Sequence, residues 1–442
     1  MSTVHEVSHD NGGLRRAKVA AELARALPAR SVLVDREDLK PYECDGLSAY
    51  RATPLVAAIP ADEKEVAAVL AVARATHTPV VARGSGTGLS GGALPLADGI
   101  LLSLAKFNRI VSVDPLGRTA RVQPGVTNLK ISQHVAHLGL YYAPDPSSQI
   151  ACSIGGNVAE NSGGVHCLKY GLTVHNILKV RVITVEGDVV DLGSNALDTQ
   201  GYDLLAVVTG SEGLLAITLE VTVKLLPKPE VAQVVMASFA DVESAGEAVA
   251  RVIGAGIVPA GLEMMDKLAT RAVEGFVHAG YDLEAEAILL AESDGSREEV
   301  AHEIEKMIEV MRESGATNIR CSSSDAERLR FWSGRKAAFP AVGRISPDYY
   351  CIDGSIPRGA LAKVLKRTEE LSARYGLRCA NVFHAGDGNL HPLILYDANI
   401  PGELETTERF ACDILELCIE VGGTITGEHG VGIEKINQMC TQ

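Results

Sequence analysis

The chain has 442 residues, of which 46% are hydrophobic and 4% aromatic, and it carries a formal net charge of −15. This length exceeds one typical core and predicts two domains. The acidity argues against nucleic acid as a partner, because phosphate binding needs a basic face. No secretory signal is visible, and no apolar run approaches the ~18 residues of a membrane span. We therefore expect a cytoplasmic protein without a transmembrane segment.

The nine cysteines are scattered and odd in number, and none forms a C-x-x-C pair. This spacing argues against iron–sulfur clusters and structural zinc sites built from thiolates. Reduced, buried thiols in a reducing compartment are the expected state.

The first part of the chain alternates strands and helices after a lead-in segment at residues 1–53. Composition and turn signals place a domain at residues 54–229, ending at Pro227-Lys228-Pro229. The lead-in segment contains one predicted helix, at 13–27. The predicted elements of the domain are a strand at 56–59, a helix at 61–75, a strand at 80–82, a hairpin at 109–123, a helix at 124–137 and strands at 177–185 and 216–225.

A glycine-rich loop follows the strand that ends at Arg83. It holds five glycines within residues 84–92, interleaved with serine and threonine. Bare N–H groups and hydroxyls after a strand form a concave anion site, which predicts a phosphate-bearing ligand. The residues after it, 93–99, contain proline and turn signals rather than a helix start, so a Rossmann nicotinamide site is disfavoured. No Lys-Ser or Lys-Thr closes the loop, which excludes a P-loop.

Residues 230–442 predict a second domain, an α+β layer with an antiparallel sheet and helices on one face. Within it, Asp387-Gly388 is a type I′ hairpin signal. If these two residues form the turn, His384 and His391 face each other with Cβ atoms roughly 5 Å apart. Glu428 lies on a later extended segment, so the three side chains predict a divalent metal site, with zinc preferred. Hydrogen-bonded structural histidines are the alternative.

Several motifs together resemble a known family. Arg83-Gly84-Ser85-Gly86-Thr87-Gly88, Pro144-Asp145-Pro146, the run from Gly155 to Gly164 and Gly210-Ser211-Glu212-Gly213 resemble the flavin domain of the vanillyl-alcohol-oxidase-like flavoproteins. His384-x-Gly-Asp-Gly-Asn-Leu-His391 and Glu428-His429-Gly430 look like the C-terminal domain of their FAD-linked D-2-hydroxyacid dehydrogenase branch. Within that branch, the segment Tyr42–Leu47 and the sequence as a whole are most similar to glycolate oxidase flavoprotein subunits.

The resemblance implies an α+β protein, in which a two-subdomain FAD-binding domain of PCMH type precedes an α+β cap domain with an antiparallel sheet. It also implies that FAD is bound non-covalently, because Thr87 stands where covalently flavinylated relatives carry histidine. Family members continue past the Glu-His-Gly segment, so the chain is expected to lack a final tail. The expected cofactor-binding residues are Arg83, Gly84, Ser85, Gly86, Thr87, Gly88, Pro144, Asp145, Ser148, Gly155, Gly156, Asn157, Glu160, Asn161, Ser162, Gly163, Gly164, Glu212, Gly213 and Ile217.

By resemblance, the chain oxidises a small 2-hydroxy acid, such as glycolate or D-lactate, and passes a hydride to the flavin. His429 is the candidate base, and Arg335 the candidate holder of the substrate carboxylate, with a helix-surface ion pair as its alternative. Alternative functions are a D-2-hydroxyglutarate or cytochrome-type D-lactate dehydrogenase, or a redox-silent flavoprotein subunit. The expected partners are iron–sulfur and second flavoprotein-like subunits of a glycolate oxidase complex, which would hold the chain peripherally at the inner face of the membrane.

Overall fold

The computed structural model of the protein describes residues 9–196, 199 and 201–442. The chain folds into two compact units. The first comprises the residues up to 142, 148–162 and 173–226, and the second comprises 143–147, 163–172 and 227–442. The predicted domain boundaries at residues 53/54 and 229/230 stay a prediction.

The helices in chain order are α1 (His9–Ala26), α2 (Arg36–Leu39), α3 (Glu63–Thr76), α4 (Asn128–Val135), α5 (Ile154–Glu160), α6 (Cys167–Tyr170), α7 (Leu204–Val208), α8 (Val242–Gly254), α9 (Lys267–Val277), α10 (Arg297–Glu313), α11 (Asp325–Lys336), α12 (Ala338–Val342), α13 (Leu361–Tyr375), α14 (Glu403–Glu420) and α15 (Ile436–Met439). Across the described ranges, no helix is both long and apolar enough to cross a bilayer.

The strands are β1 (Val32–Leu33), β2 (Val56–Ala58), β3 (Val80–Arg83), β4 (Ile100–Ser103), β5 (Ile110–Asp114), β6 (Thr119–Val122), β7 (Leu140–Tyr141), β8 (Ile177–Ile183), β9 (Val189–Gly193), β10 (Ile217–Lys224), β11 (Leu226–Pro227), β12 (Val231–Phe239), β13 (Gly261–Asp266), β14 (Ala287–Gly295), β15 (Asn318–Cys321), β16 (Asp348–Cys351), β17 (Gly354–Ser355), β18 (Cys379–Phe383), β19 (Asn389–Leu390) and β20 (Pro392–Tyr396).

The first unit contains two separate main sheets. One has the order β1-β2-β4-β3, with β4 parallel to both β2 and β3. Parallel strands need a crossover, and α3 supplies the one between β2 and β3; its N-cap is Asp62, whose side chain accepts from Glu65 N. The other sheet has the order β5-β6-β10-β8-β9 and is antiparallel, and it contains the predicted hairpin as β5 and β6. No helix lies between β3 and β4, as the sequence predicts for the glycine-rich loop.

The second unit is built on a seven-stranded sheet of order β15-β12-β14-β13-β18-β20-β16, whose described pairs are antiparallel as predicted. Helices pack on both faces, however, and the prediction of one covered face is wrong. Leu262 and Met264 of β13 share an apolar core with Val249 of α8. Glu263 lies between them and points to the opposite face, where it meets Arg335 of α11. This second face carries the candidate site.

Candidate functional site

Two histidines come together at the turn after β18, although not through the predicted turn. His384 N donates to Asn389 O at 3.1 Å and Gly388 N donates to His384 O at 3.1 Å, so four residues separate the paired positions. The prediction that Asp387-Gly388 is a two-residue turn, with His384 opposite His391, is therefore wrong. The two rings nevertheless approach each other, with centroids 5.1 Å apart and planes at 85°.

Glu428 lies between these two imidazoles. Its Oε1 atom is 3.2 Å from His384 Nε2 and 3.0 Å from His391 Nε2. Its Oε2 atom accepts from Gly163 N at 2.9 Å, which fixes the orientation of the carboxylate. One ligand atom from each of the three side chains lies within 4.8 Å of the others. The structure thus brings together the three predicted metal ligands.

A second potential metal-binding group shares one of these histidines. In the described part of the chain, Cys351, His391 and His429 also offer ligand atoms within 4.8 Å of one another. The rings of His391 and His429 are stacked, however, with 4.9 Å between centroids and 5° between planes. An imidazole lone pair lies in the ring plane, so two parallel, stacked rings do not direct their lone pairs at one ion. The rings of His384 and His391 are nearly perpendicular and suit shared coordination better.

A buried carboxylate that belongs to none of the sequence motifs supports the site. Glu263 Oε1 lies 2.7 Å from His384 Nδ1, and Glu263 Oε2 accepts from Arg335 Nε at 2.7 Å. Both charged side chains are 1% exposed. Metal-binding histidines commonly donate their second ring N–H to such a carboxylate, which fixes the tautomer and the ring orientation. Glu263 therefore directs His384 Nε2 towards Glu428.

Arg335 is fully buried, so the surface ion-pair alternative does not describe it. Its Nε atom donates to Glu263, whereas its Nη2 atom is buried and has no hydrogen-bond partner among the described residues. A buried guanidinium N–H without a partner is costly and suits an anionic oxygen that is not part of the protein.

The electrostatics around His384 favour a cation between the ligand atoms. Burial alone lowers the pKa of His384, but Glu263 and Glu428 outweigh burial and raise it well above 6.5. Burial raises the pKa of Glu428, but hydrogen bonds from His384 and His391 outweigh it and hold this pKa well below 4.5. Two carboxylates thus lie against His384, of which only Glu263 is paired with a guanidinium, and the excess negative charge attracts a proton or a metal ion.

His429, the predicted base, lies next to the ligand Glu428 and stacks on His391. Burial is the main cause that lowers its pKa, to about 4, with the charge of His391 acting in the same direction and Asp353 and Glu428 opposing them. The ring is therefore neutral at neutral pH and able to accept a proton. Its backbone N–H donates to Asp353 at 2.9 Å, which holds the segment in place.

In the first unit, the glycine-rich loop carries backbone N–H groups that are available to a ligand. The backbone N–H groups of Ser85, Gly86, Thr87 and Gly88 make no hydrogen bond to any described residue. A Cβ atom at Gly84 would lie 2.2 Å from Ser153 Oγ, so only glycine allows this close approach. A run of free N–H groups on a tightly packed loop fits a phosphate group, and these residues therefore fit the predicted flavin nucleotide.

Other predicted cofactor residues surround α5. Asn161 ends this helix in a left-handed conformation with φ 54°. Glu212 N donates to Ala159 O at 2.8 Å, which brings the predicted Glu212-Gly213 pair onto the helix. Asn157 is buried, and its side chain accepts from Asn128 Nδ2 at 3.2 Å, so it supports the loop from inside. Also in the first unit are Arg83, Ser148, Gly155, Gly156, Glu160, Ser162 and Ile217.

Four of the predicted cofactor residues, Pro144, Asp145, Gly163 and Gly164, lie in the second unit. The carboxylate of Asp145 accepts from His166 N at 3.2 Å and lies 2.8 Å from His166 Nδ1. His166 Nε2 in turn lies 3.3 Å from Glu292 Oε1. The side chain of Asp145 is thus engaged within the protein and stabilises its own loop.

Comparison with known proteins identifies the class of fold. The structure resembles p-cresol methylhydroxylase with a TM-score of 0.79 at 18% identity, covering 96% of this chain and 90% of that chain. A 4-ethylphenol oxidase from Gulosibacter chungangensis gives a TM-score of 0.76 at 18% identity, covering 97% and 91%. Likeness at this identity concerns the fold alone, and it confirms the predicted PCMH-type α+β architecture.

Sequence comparison then shows the family. Residues 54–193 match the FAD binding domain family, and residues 228–442 match the family of FAD linked oxidases, C-terminal domain. The chain is 60% identical to the glycolate oxidase subunit GlcD of Escherichia coli K12 over 444 residues, covering 100% of this chain and 89% of that protein. The chain belongs to the FAD-linked oxidase family and is an FAD-linked oxidoreductase, as the motifs predict.

Two further relatives carry different enzyme names. The glycolate oxidase subunit GlcD of Bacillus subtilis is 37% identical over 392 residues, covering 88% of this chain and 83% of that protein. A D-lactate dehydrogenase of Anaerostipes hadrus is 32% identical over 429 residues, covering 95% and 90%.

Proposed function

We propose that the protein oxidises a small 2-hydroxy acid, glycolate in the first place, to the 2-oxo acid, as the FAD-containing subunit of a glycolate oxidase. The observation that carries this proposal is the convergence of His384, His391 and Glu428 in the unit that also buries Arg335 with an unpartnered Nη2 atom. Metal ligands and a guanidinium are the two groups that recognise a hydroxyl and a carboxylate on neighbouring carbon atoms. The 60% identity to a glycolate oxidase subunit supports the choice of substrate.

The two non-protein groups would supply the chemistry that side chains lack. FAD, when bound, supplies the two-electron acceptor, and Thr87 in place of histidine supports non-covalent attachment. A divalent ion, when bound by His384, His391 and Glu428, would stabilise negative charge on a substrate oxygen. Two imidazoles and a carboxylate without thiolate suit zinc or another ion of borderline softness.

The side chains of the protein provide position and proton transfer. Arg335 binds the substrate carboxylate through Nη2 while Nε stays on Glu263, so the guanidinium cannot rotate away. His429, whose ring is neutral at neutral pH, accepts the hydroxyl proton; its lowered pKa makes it a weak base, so the transfer depends on a divalent ion that, when bound, would acidify the hydroxyl. Glu263 holds His384 in the tautomer that leaves Nε2 available to the site.

Electrons must leave the protein after each turnover. All nine cysteines are free in the described structure, and no cysteine cluster is available to carry electrons further. We therefore propose that partner subunits, one of them an iron–sulfur protein, take the electrons towards a quinone-type acceptor. Attachment to such partners would place the chain at the inner face of the membrane.

The metal site is tested by His391→Ala, with His302→Ala as a control, since His302 is exposed in the same unit. The first variant should lose most of its metal and turnover while retaining FAD, and the control should keep all three. Equal metal content in the parent and in His391→Ala would mean that the histidines are structural.

The substrate is tested by turnover of glycolate, both lactate enantiomers and D-2-hydroxyglutarate with an artificial electron acceptor. Glycolate should give the highest kcat/KM. A clear preference for D-lactate or D-2-hydroxyglutarate would reassign the substrate within the family, and the absence of turnover with every acid would favour a redox-silent subunit.

A further inference from the structure

Asp353 is a buried carboxylate that no motif identified, and it lies under the segment that carries Glu428. The residue is 0% exposed and lies between β16 and β17, immediately before Gly354. Its Oδ2 atom accepts from Gly427 N at 3.0 Å and from His429 N at 2.9 Å, and its Oδ1 atom lies 3.2 Å from Glu428 N. Three consecutive backbone N–H groups thus converge on one side chain.

The same carboxylate also contacts the turn that carries the two histidines. Asp353 Oδ1 accepts from Asn389 Nδ2 at 2.7 Å, and Asn389 pairs with His384 through the backbone. A Cβ atom at Gly427 would lie 1.8 Å from Asn389 Nδ2, so the two segments approach as closely as glycine permits. Asp353 therefore joins the carboxylate segment to the histidine turn.

The charge of Asp353 is balanced inside the protein. Lys435 Nζ lies 3.2 Å from Asp353 Oδ2, and both side chains are 0% exposed. A buried ion pair is by itself weak evidence of function, because desolvation offsets much of its attraction. What distinguishes this one is the set of backbone donors, which belong to Glu428 and to the residue on each side of it.

We propose that Asp353 is a positioning residue that sets the separation between Glu428 and the imidazoles of His384 and His391, and thereby determines how tightly the divalent ion is held. This inference rests on the metal site of the proposed function. It assigns to Asp353 a role in the site beyond that of stabilising the fold, since the same two oxygens orient both ligand-bearing segments.

The test is Asp353→Asn in the FAD-loaded protein. The amide would place an NH₂ group against N–H donors, so at least one of the backbone contacts is lost and Glu428 is no longer fixed. Loss of such an outer contact should weaken zinc binding by about 10- to 100-fold, measured by competition with a chelator. FAD content should stay at the parent's level, and excess zinc should restore turnover, which a merely structural role would not predict.

Asp294→Asn is the matched control. Asp294 is another buried aspartate of the same unit, and it accepts from Lys169 Nζ at 2.7 Å and Tyr170 Oη at 2.7 Å. The control should lose stability but keep the parent's zinc affinity. Cobalt(II) loading gives a second readout, since its visible spectrum beyond the flavin absorption should change in Asp353→Asn and not in Asp294→Asn.

A milder variant keeps the proposal falsifiable if Asp353→Asn does not fold. Thr426→Val removes the hydroxyl that donates to Asp353 Oδ2 at 2.6 Å and accepts from Gly430 N at 3.0 Å, and it should weaken zinc binding by a few-fold. Unchanged zinc affinity in the folded variants would overturn the positioning role alone. Absence of zinc from the parent protein under all loading conditions would instead refute the proposed metal site, and the inference with it.

Discussion

Glu263→Gln is the change that most directly separates a positioned metal site from a group of buried charges. In the parent protein one oxygen of Glu263 meets His384 Nδ1 at 2.7 Å and the other meets Arg335 Nε at 2.7 Å. Glutamine has a single acceptor oxygen, so one of these two contacts must face the amide NH₂ group. The negative charge that both partners share is also removed.

This change should affect two quantities, the metal affinity through His384 and the stability through Arg335. Removing the carboxylate behind a metal-binding histidine typically costs 10- to 100-fold in metal affinity, about 1.4–2.7 kcal/mol. Removing one partner of a buried ion pair typically costs about 3–5 kcal/mol of stability. Glutamine retains one hydrogen bond. We therefore expect that breaking the ion pair with Arg335 lowers the free energy of unfolding by about 3 kcal/mol, the lower end of this range. The two effects appear in different measurements.

The assays are zinc competition with a chelator and urea unfolding, each with Glu303→Gln as the control. Glu303 is a partly buried glutamate of α10 that accepts from Ser293 Oγ at 2.6 Å in the same unit. Glu263→Gln should weaken zinc binding and lower stability, whereas Glu303→Gln should change only stability, and by less. Parent-like zinc affinity in Glu263→Gln would refute the assigned role of Glu263 in orienting His384.

Three further predictions concern the base, the flavin and an ion network. His429→Asn should retain metal and FAD but lower kcat by about 10²–10⁴-fold, and full rescue by added metal would make His429 a ligand instead. Acid precipitation should release all FAD into the supernatant, whereas flavin that stays with the denatured chain would contradict non-covalent binding. Burial opposes but Asp145 and Glu292 raise the pKa of His166 to about 10. This raised pKa gives stability that is complete below pH 6.5 and is lost as pH rises towards 10, so His166→Gln should reduce the fall in urea midpoint between pH 6 and 9.5.

Features with local signals could be predicted from the sequence. The glycine-rich loop after β3, the absence of a helix behind it and the hairpin of β5 and β6 all follow from spacing and turn chemistry within about fifteen residues. The strands and helices of the second unit follow from its alternating pattern, but their antiparallel pairing does not, because the same alternation is typical of parallel βαβ units. The number of covered faces does not, because strands buried on both sides lack the alternation that would mark a solvent face.

The supporting residues of the site could not be predicted, because their partners are distant in sequence. Glu263 and His384 are separated by 121 positions, and Asp353 and Glu428 by 75. The one available signal for Glu263 was a charged residue inside the apolar strand β13, since a glutamate is rarely buried without a partner. The register at His384 was missed for another reason: Asp-Gly fits a two-residue turn, but here Gly388 ends a four-residue connection with φ +84°.

The charges joined by hydrogen bonds around His384 also favour an acid over an alcohol as the substrate of the proposed site. Glu263 and Glu428 each carry one negative charge and Arg335 carries one positive charge, so with neutral imidazoles the sum is −1. The proposed dication, when bound, would change the sum to +1. A neutral alcohol would leave that charge uncompensated in a buried site and Arg335 Nη2 without a partner, which is costly on both counts. A 2-hydroxy carboxylate supplies one negative charge and the missing acceptor together, so charge balance and hydrogen bonding select the same class of substrate.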